Sequence, residues 1–172
     1  LLIAVIALAV RGFFDRYAQS DITIKWPNDI YFKNRKAGGI LIENILSGKE
    51  WKWAVAGIGL NINQVDFQKL EGRTPVSLKQ ITGKSFDCFE LAKELRNEIM
   101  NRLANELMSQ CDDVIMAEYN RYLYKKNEIV QFEKDGEAFE AMVKEVLPSG
   151  QLVVQSEVEL KFDFGEIKWL EK

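Results

Sequence analysis

The first ten residues, LLIAVIALAV, carry no polar side chain, and this run limits the fold more than any other feature of the chain. Ten apolar residues are too few to span a bilayer, which takes about 20 in a helix. A secretory leader would place basic residues ahead of the run and a small-residue cleavage site behind it, and neither is visible. The remaining reading is a helix over residues 1 to about 17, apolar on all sides and ended by the polar AQSD. Such a helix must be covered on more than one side by other elements. The chain, which opens without methionine, therefore reads as a fragment of a larger domain whose N-terminal part is missing.

The next segment alternates toward strands. ITIKW is one, interrupted by Pro27, which cannot donate to a ladder. IYF resumes the extended run, KNRK is a four-residue turn, and GGILIE returns as the partner strand. After LSGKE, WKWAVAGIGLNIN is a third strand, and three strands joined by short turns make an antiparallel meander. Residues 64 to 86 read as irregular, with Gly72, Pro75 and Gly83 marking loops. Asp87 with Glu90 predicts a capping box, and Phe86 with Leu91 a hydrophobic staple. Leu91, Leu95, Ile99, Leu103 and Leu107 then recur every four residues, predicting a helix packed on the sheet. DDVIMAEYNRYLY reads as a second helix with an acidic N-terminus.

Near Lys125 the texture changes. EIVQF, AFEAMVKEV, QLVVQ, ELKFDF and IKWL are short strands with turn signals between them, a pattern that predicts a small barrel. The expected class is α+β: a mixed or antiparallel sheet flanked by helices in residues 1–124, and the barrel in residues 125–172.

Composition removes whole classes of chemistry. There is no histidine, so no Ser-His or Cys-His nucleophile pair and no imidazole metal ligand. Cys88 and Cys111 stand alone, without the spacing of a zinc or redox site, and fit a reducing, cytoplasmic setting. A net charge of −3 disfavours nucleic acid as the main partner, and the acidic barrel segment disfavours it further. Catalysis would rest on Lys, Arg, Asp, Glu, Asn and backbone amides, with no protein-held metal.

Strand alternation puts Gly57, Gly59, Asn61 and Asn63 on one face of the third strand and Ile58, Leu60 and Ile62 on the other. Glycines within strands mark places where a ligand or another backbone comes close. Gly38 and Gly39 repeat the feature next door, so the two strands together would leave a slot for a flat, partly polar small molecule. Lys36 stands at its lip, where an ammonium group meets a carboxylate or phosphate as a point charge. Trp26 and Pro27 offer an apolar wall, and Asn28 and Asp29 polar contacts. Each feature alone has a plainer explanation: a turn lysine is usually solvated, and strand glycines serve bulges or tight packing. GIGLN lacks the third glycine of G-x-G-x-x-G and opens no helix, which rules out a dinucleotide loop.

In combination and in order, KWPNDI, KAGGILIE and VAGIGLNIN resemble the catalytic domain of bacterial biotin protein ligases. The apolar helix before them, the long helix after them and a small C-terminal barrel ending FGEIKWL extend the resemblance over nearly the whole chain. Lipoate ligases share the fold but do not typically carry this trio. The resemblance implies a class II aminoacyl-tRNA synthetase-like sheet with an SH3-like barrel behind it. It also implies ATP-dependent attachment of biotin, through biotinyl-5'-AMP and with Mg²⁺, to a lysine of a biotin carboxyl carrier domain.

By the same resemblance, Lys36 contacts the biotin carboxylate and then the adenylate linkage. Lys25 assists with phosphate or the acceptor, and Asp29 orients or deprotonates the acceptor lysine. Trp26, Gly38, Gly39 and Ile40 line the biotin and adenylate slot, and Asn28, Gly59 and Asn61 contact the nucleotide. The family's Gly- and Arg-rich GRG-type loop lies ahead of the first helix and has no counterpart here, so half a site is expected. Sheet-edge pairing would make the parent a dimer, and DNA binding would need a further N-terminal domain. The alternatives are a non-catalytic biotin-sensing or co-repressor module, and a lipoate-ligase-like acyl-adenylate enzyme.

Overall fold

The computed structural model describes residues 1–19, 21–48, 50–67, 74–109 and 112–170, apart from the side chains of 107–109. Gly72, Cys111 and the Leu107 side chain lie outside the described residues. The apolar run forms α1, Leu2–Ala18. Every residue from Ala4 to Val10 is buried, as are Phe13 and Phe14. Seven consecutive buried positions span nearly two turns, so every direction around the axis is covered. One side packs on the first sheet, and the others on α3 (Cys88–Ser109) and α4 (Asp112–Arg121).

The first sheet has four antiparallel strands in sequence order: β1 (Ile22–Lys25), β2 (Asp29–Phe32), β3 (Arg35–Ser47) and β4 (Glu50–Leu60). Pro27 therefore does more than interrupt an extended run. The chain reverses there, through a cis Trp26–Pro27 bond, and β1 pairs with β2 from Ile22↔Phe32 to Lys25↔Asp29. The expected four-residue turn is also shorter: β3 already begins at Arg35, which places Lys36 inside a strand. β4 ends at Leu60, so Asn61 and Asn63 follow the strand. Ile22, Ile24, Ile30 and Ile40 are buried in the core that includes α1.

Within the stretch expected to be irregular lies a short helix, α2 (Leu78–Thr82), opened by a Ser77–Gln80 capping box and closed by Gly83 at φ 74°. Half of the capping box expected at α3 forms. The Asp87 carboxylate accepts from the N–H groups of Phe89 and Glu90 at 2.8 and 3.2 Å, while the Glu90 carboxylate turns to Lys93 at 2.7 Å. α3 packs on α1 and not on the sheet, because α1 already occupies the sheet's apolar face. Arg16–Glu98 and Tyr17–Glu94 contacts at 2.6 Å tie the two helices together.

α4 stops at Arg121, short of the expected YLY. Residues 122–124 leave the helix to run beside β1: the Ile24 N–H donates to the Tyr122 carbonyl at 2.8 Å, and the Tyr124 N–H to the Ile24 carbonyl at 2.9 Å. Five strands follow, β5 (Ile129–Lys134), β6 (Glu137–Val146), β7 (Leu152–Gln155), β8 (Glu159–Phe162) and β9 (Lys168–Leu170). They form an antiparallel sheet in the order β8-β7-β6-β5-β9. Buried Asn120 of α4 holds this sheet to the helices. Its amide donates to the Val146 carbonyl at 2.9 Å, and its oxygen accepts from the Val146 N–H at 2.7 Å. Among the described residues no helix is long and apolar enough to cross a membrane.

Candidate functional site

Simple alternation would put Lys36 and Gly39, three residues apart, on opposite faces of β3. The β2–β3 register removes that conflict. Ile30 pairs with Gly38, but Tyr31 pairs with Lys36, so Ala37 is an extra residue in a β-bulge. A bulge re-aims the side chain beside it, and here it turns Lys36 to the face of Asp29, Tyr31 and Gly39. The Lys36 Nζ lies 2.6 Å from Asp29 Oδ1, with the two side chains 30% and 24% exposed. An ion pair so open to solvent contributes only about 0–1 kcal/mol to stability. It is therefore a partner that an arriving anion displaces at little cost.

A side chain at position 39 would disturb this pair. A Cβ there would lie 2.8 Å from Asp29 Oδ1 and 3.5 Å from Lys36 Nζ, inside the ion pair. Across the ladder Gly39 pairs with Gly59 and Leu41 with Gly57. A Cβ on Gly59 would meet nothing within 4 Å, and one on Gly57 only the Leu41 carbonyl at 3.9 Å. The face beside the ion pair is thus bare backbone. Gly38 has a different job: its Cβ would lie 2.6 Å from both the Gly59 carbonyl and Leu60 Cδ2, which makes it a packing glycine on the other face.

The remaining expected residues divide. Lys25, the cross-strand partner of Asp29, is 8% exposed. Its Nζ donates to the Tyr31 hydroxyl at 3.2 Å and lies 5.2 Å from the Trp169 ring centre. Trp26 does not wall the glycine face. It is buried with Met116 and Tyr119, and its indole N–H donates to the Gly150 carbonyl at 2.8 Å. Ile40 is buried on the core face, and both its backbone groups are taken by Asn28. The Ile40 N–H donates to the Asn28 carbonyl at 2.9 Å, and the Asn28 amide donates to the Ile40 carbonyl at 2.6 Å.

Asn61 also spends its amide on the fold, donating to the carbonyls of Lys36 at 3.3 Å and Val76 at 3.2 Å. The same Lys36 backbone is clamped from the far side. Its N–H donates to Thr74 at 3.0 Å, and its carbonyl accepts from Val76 at 2.8 Å. Asn28 and Asn61 thus brace the strand that carries Lys36. Reading the sequence missed Thr74 and Val76, whose contribution is backbone alone, and Trp169 and Tyr124, which no local pattern links to Lys25. The odd spacing of Lys36 and Gly39 is the one local hint of the bulge.

Antiparallel sheets with flanking helices, and a lysine–aspartate pair beside bare strand backbone, define an α+β domain with a candidate anion-binding site. Residues 2–61, which hold α1 and all four strands, match the model of the biotin/lipoate A/B protein ligase family. The bifunctional ligase/repressor BirA of Bacillus subtilis is 35% identical over 83 residues, 47% of this chain and 26% of that protein. BirA of Escherichia coli is 37% identical over 110 residues, 62% of this chain and 32% of that protein. The structure of the Aquifex aeolicus biotin protein ligase in complex with biotin and ATP superposes with a TM-score of 0.79, covering 99% of this chain and 71% of that one. Its identity is 22%, so this likeness speaks to the fold. Over these stretches the chain is similar to biotin protein ligases. It spans about a quarter to a third of the length of the curated relatives it matches.

Proposed function

We propose that the protein carrying this chain attaches biotin to a lysine of a biotin carboxyl carrier domain in two steps. In the first, a biotin carboxylate oxygen attacks the α-phosphorus of ATP. The bond to the bridging oxygen breaks, pyrophosphate leaves, and biotinyl-5'-AMP forms. In the second, the acceptor amine attacks the acyl carbon and AMP leaves. Both steps gather negative charge at one junction, and fixed positive charge is the main stabilisation that this chain, which has no histidine, offers there.

The observation that carries the reading is the Lys36–Asp29 pair beside the bare backbone of Gly39 and Gly59. In this reading Lys36 exchanges Asp29 for the biotin carboxylate and follows it into the adenylate linkage. The exchange releases the Asp29 carboxylate, which then accepts the proton of the acceptor lysine. Gly39 and Gly59 supply backbone against which the flat ligand lies. Asn28 and Asn61 act by bracing Ile40 and Lys36, and Lys25 adds a second ammonium group nearby. Mg²⁺ enters with ATP as part of the substrate. Among the described residues no three carboxylates or cysteines cluster to hold a metal of the protein's own.

The same reading divides the chain at residues 124 and 125 and closes the C-terminal strands into an SH3-like barrel. Among the described residues these strands form an open antiparallel sheet whose ends are β8 and β9. The reading places the protein in the cytoplasm with its carboxylase partner. It pairs two copies through a sheet edge, β4 being an outer strand of the four, and leaves DNA binding to a separate domain. The test is mass spectrometry of a purified carrier domain incubated with the full-length protein, biotin and ATP. A biotin-sized mass gain on one lysine, absent without ATP, is expected. An unmodified carrier would overturn the assignment.

A further inference from the structure

Three aromatic rings surround the Lys25 ammonium. Its Nζ lies 4.9 Å from the centre of the Tyr31 ring, 5.2 Å from that of Trp169 and 5.8 Å from that of Tyr124. All three distances are within the range of a cation–π attraction, which indole provides most strongly. Tyr31 lies on the site's own face, but Trp169 comes from β9, the last strand of the second sheet. Its indole is placed by that sheet's own core, as the cross-strand partner of Phe132 with ring centres 4.9 Å apart. Tyr124 joins the two, 4.8 Å from Tyr31 and 6.0 Å from Trp169.

Lys25 in turn is next to the reacting groups. It is the cross-strand partner of Asp29, and Tyr31, whose hydroxyl it reaches, is the partner of Lys36. We propose that Trp169 and Tyr124 are positioning residues for the site: the second sheet lays an aromatic wall against Lys25 and so fixes its charge beside the Asp29–Lys36 pair. The catalytic consequence of this inference rests on the ligase reading, whereas the enclosure itself does not. The C-terminal sheet is then a working part of the site, reaching it through Lys25.

The experiment uses the full-length protein with ¹³C-labelled lysine and the variants W169L, W169F and K25M, with Y124L as a second route if W169L does not fold. The Lys25 Cε–H signals should be displaced upfield by ring currents in the wild type and in W169F, and should relax in W169L or Y124L. In the carrier-biotinylation assay W169L should lower kcat about tenfold while leaving KM for biotin within about twofold, and W169F should restore most of the loss. In the K25M background W169L should cost nothing more, since two residues acting through one contact do not add.

A packing role for Trp169 would not separate Phe from Leu in this way. Equal losses in both backgrounds, or wild-type Lys25 signals without displacement, would overturn the proposal. Should the wild-type protein fail to biotinylate, the ligase reading falls and the spectra decide alone. Displacement lost in W169L and kept in W169F would support the enclosure, and displacement unchanged in W169L would overturn it.

Discussion

Gly39 and Gly59 face each other across β3 and β4, yet a methyl group on the first would strike Asp29 at 2.8 Å while one on the second would meet nothing within 4 Å. The two glycines should therefore fail differently. Gly39→Ala should push the Asp29 carboxylate aside and separate it from Lys36, at a cost in stability of about 1 kcal/mol or less, the worth of such an ion pair. Gly59→Ala should leave stability within about 0.5 kcal/mol of wild type. It should still raise KM for biotin or ATP, because its methyl group stands where the ligand lies. Urea denaturation and initial rates measure the two effects side by side.

Asp29→Asn keeps the shape of the site but removes a proton acceptor. Acyl transfer to the carrier should slow by about 10²-fold, the lower range for loss of a positioned base. Adenylate formation should change much less. Single-turnover measurements starting from preformed biotinyl-5'-AMP separate the steps, and equal loss in both would remove Asp29 from the proton-accepting role.

The latch between α4 and the second sheet is a matter of stability alone. Asn120→Ala would strip partners from both the N–H and the carbonyl of Val146. A cost of about 2–4 kcal/mol is expected, from two buried groups left unsatisfied. Chemical denaturation should show it, and Asn120→Asp, which keeps only the acceptor, should fall between.

Alkaline pH should weaken the fold through two tyrosines. Burial raises the Tyr119 phenol above its ordinary value; burial and then the Glu94 carboxylate raise that of Tyr17. A group that holds its proton more tightly when folded adds stability that is complete below its unfolded pKa and is lost as pH rises through the folded value. Stability should thus be flat below about pH 10 and fall above it, by about 1.4 kcal/mol per pH unit for deeply buried Tyr119 and less steeply for Tyr17. Tyr119→Phe should make that fall shallower. An identical slope in wild type and variant would contradict the assignment.

The parts of the fold legible in the sequence are those written in local periodicity. α1 follows from ten apolar residues in a row, and the five C-terminal strands from short alternating runs between turn residues. The glycine face could be read because a missing side chain is visible at any position. What stayed hidden depends on a neighbour. The bulge at Ala37 exists only in the register of β3 against β2, and it decides that Lys36 joins Gly39. The regular leucines of α3 announce a buried face but not its partner, which is α1 and not the sheet. Trp26 looked like a wall for the slot because it is large and apolar beside Pro27, but the turn after β1 buries it with Met116 and Tyr119 instead. Trp169 meets Lys25 only because two sheets dock.

The most direct test of the account is biotin-dependent exchange of pyrophosphate into ATP by the full-length protein, with and without Lys36→Ala. The account predicts exchange in the wild type and a loss of about 10²-fold or more in the variant, the scale expected when a charge at the reacting junction is removed. Exchange at the wild-type rate without the Lys36 ammonium would contradict it.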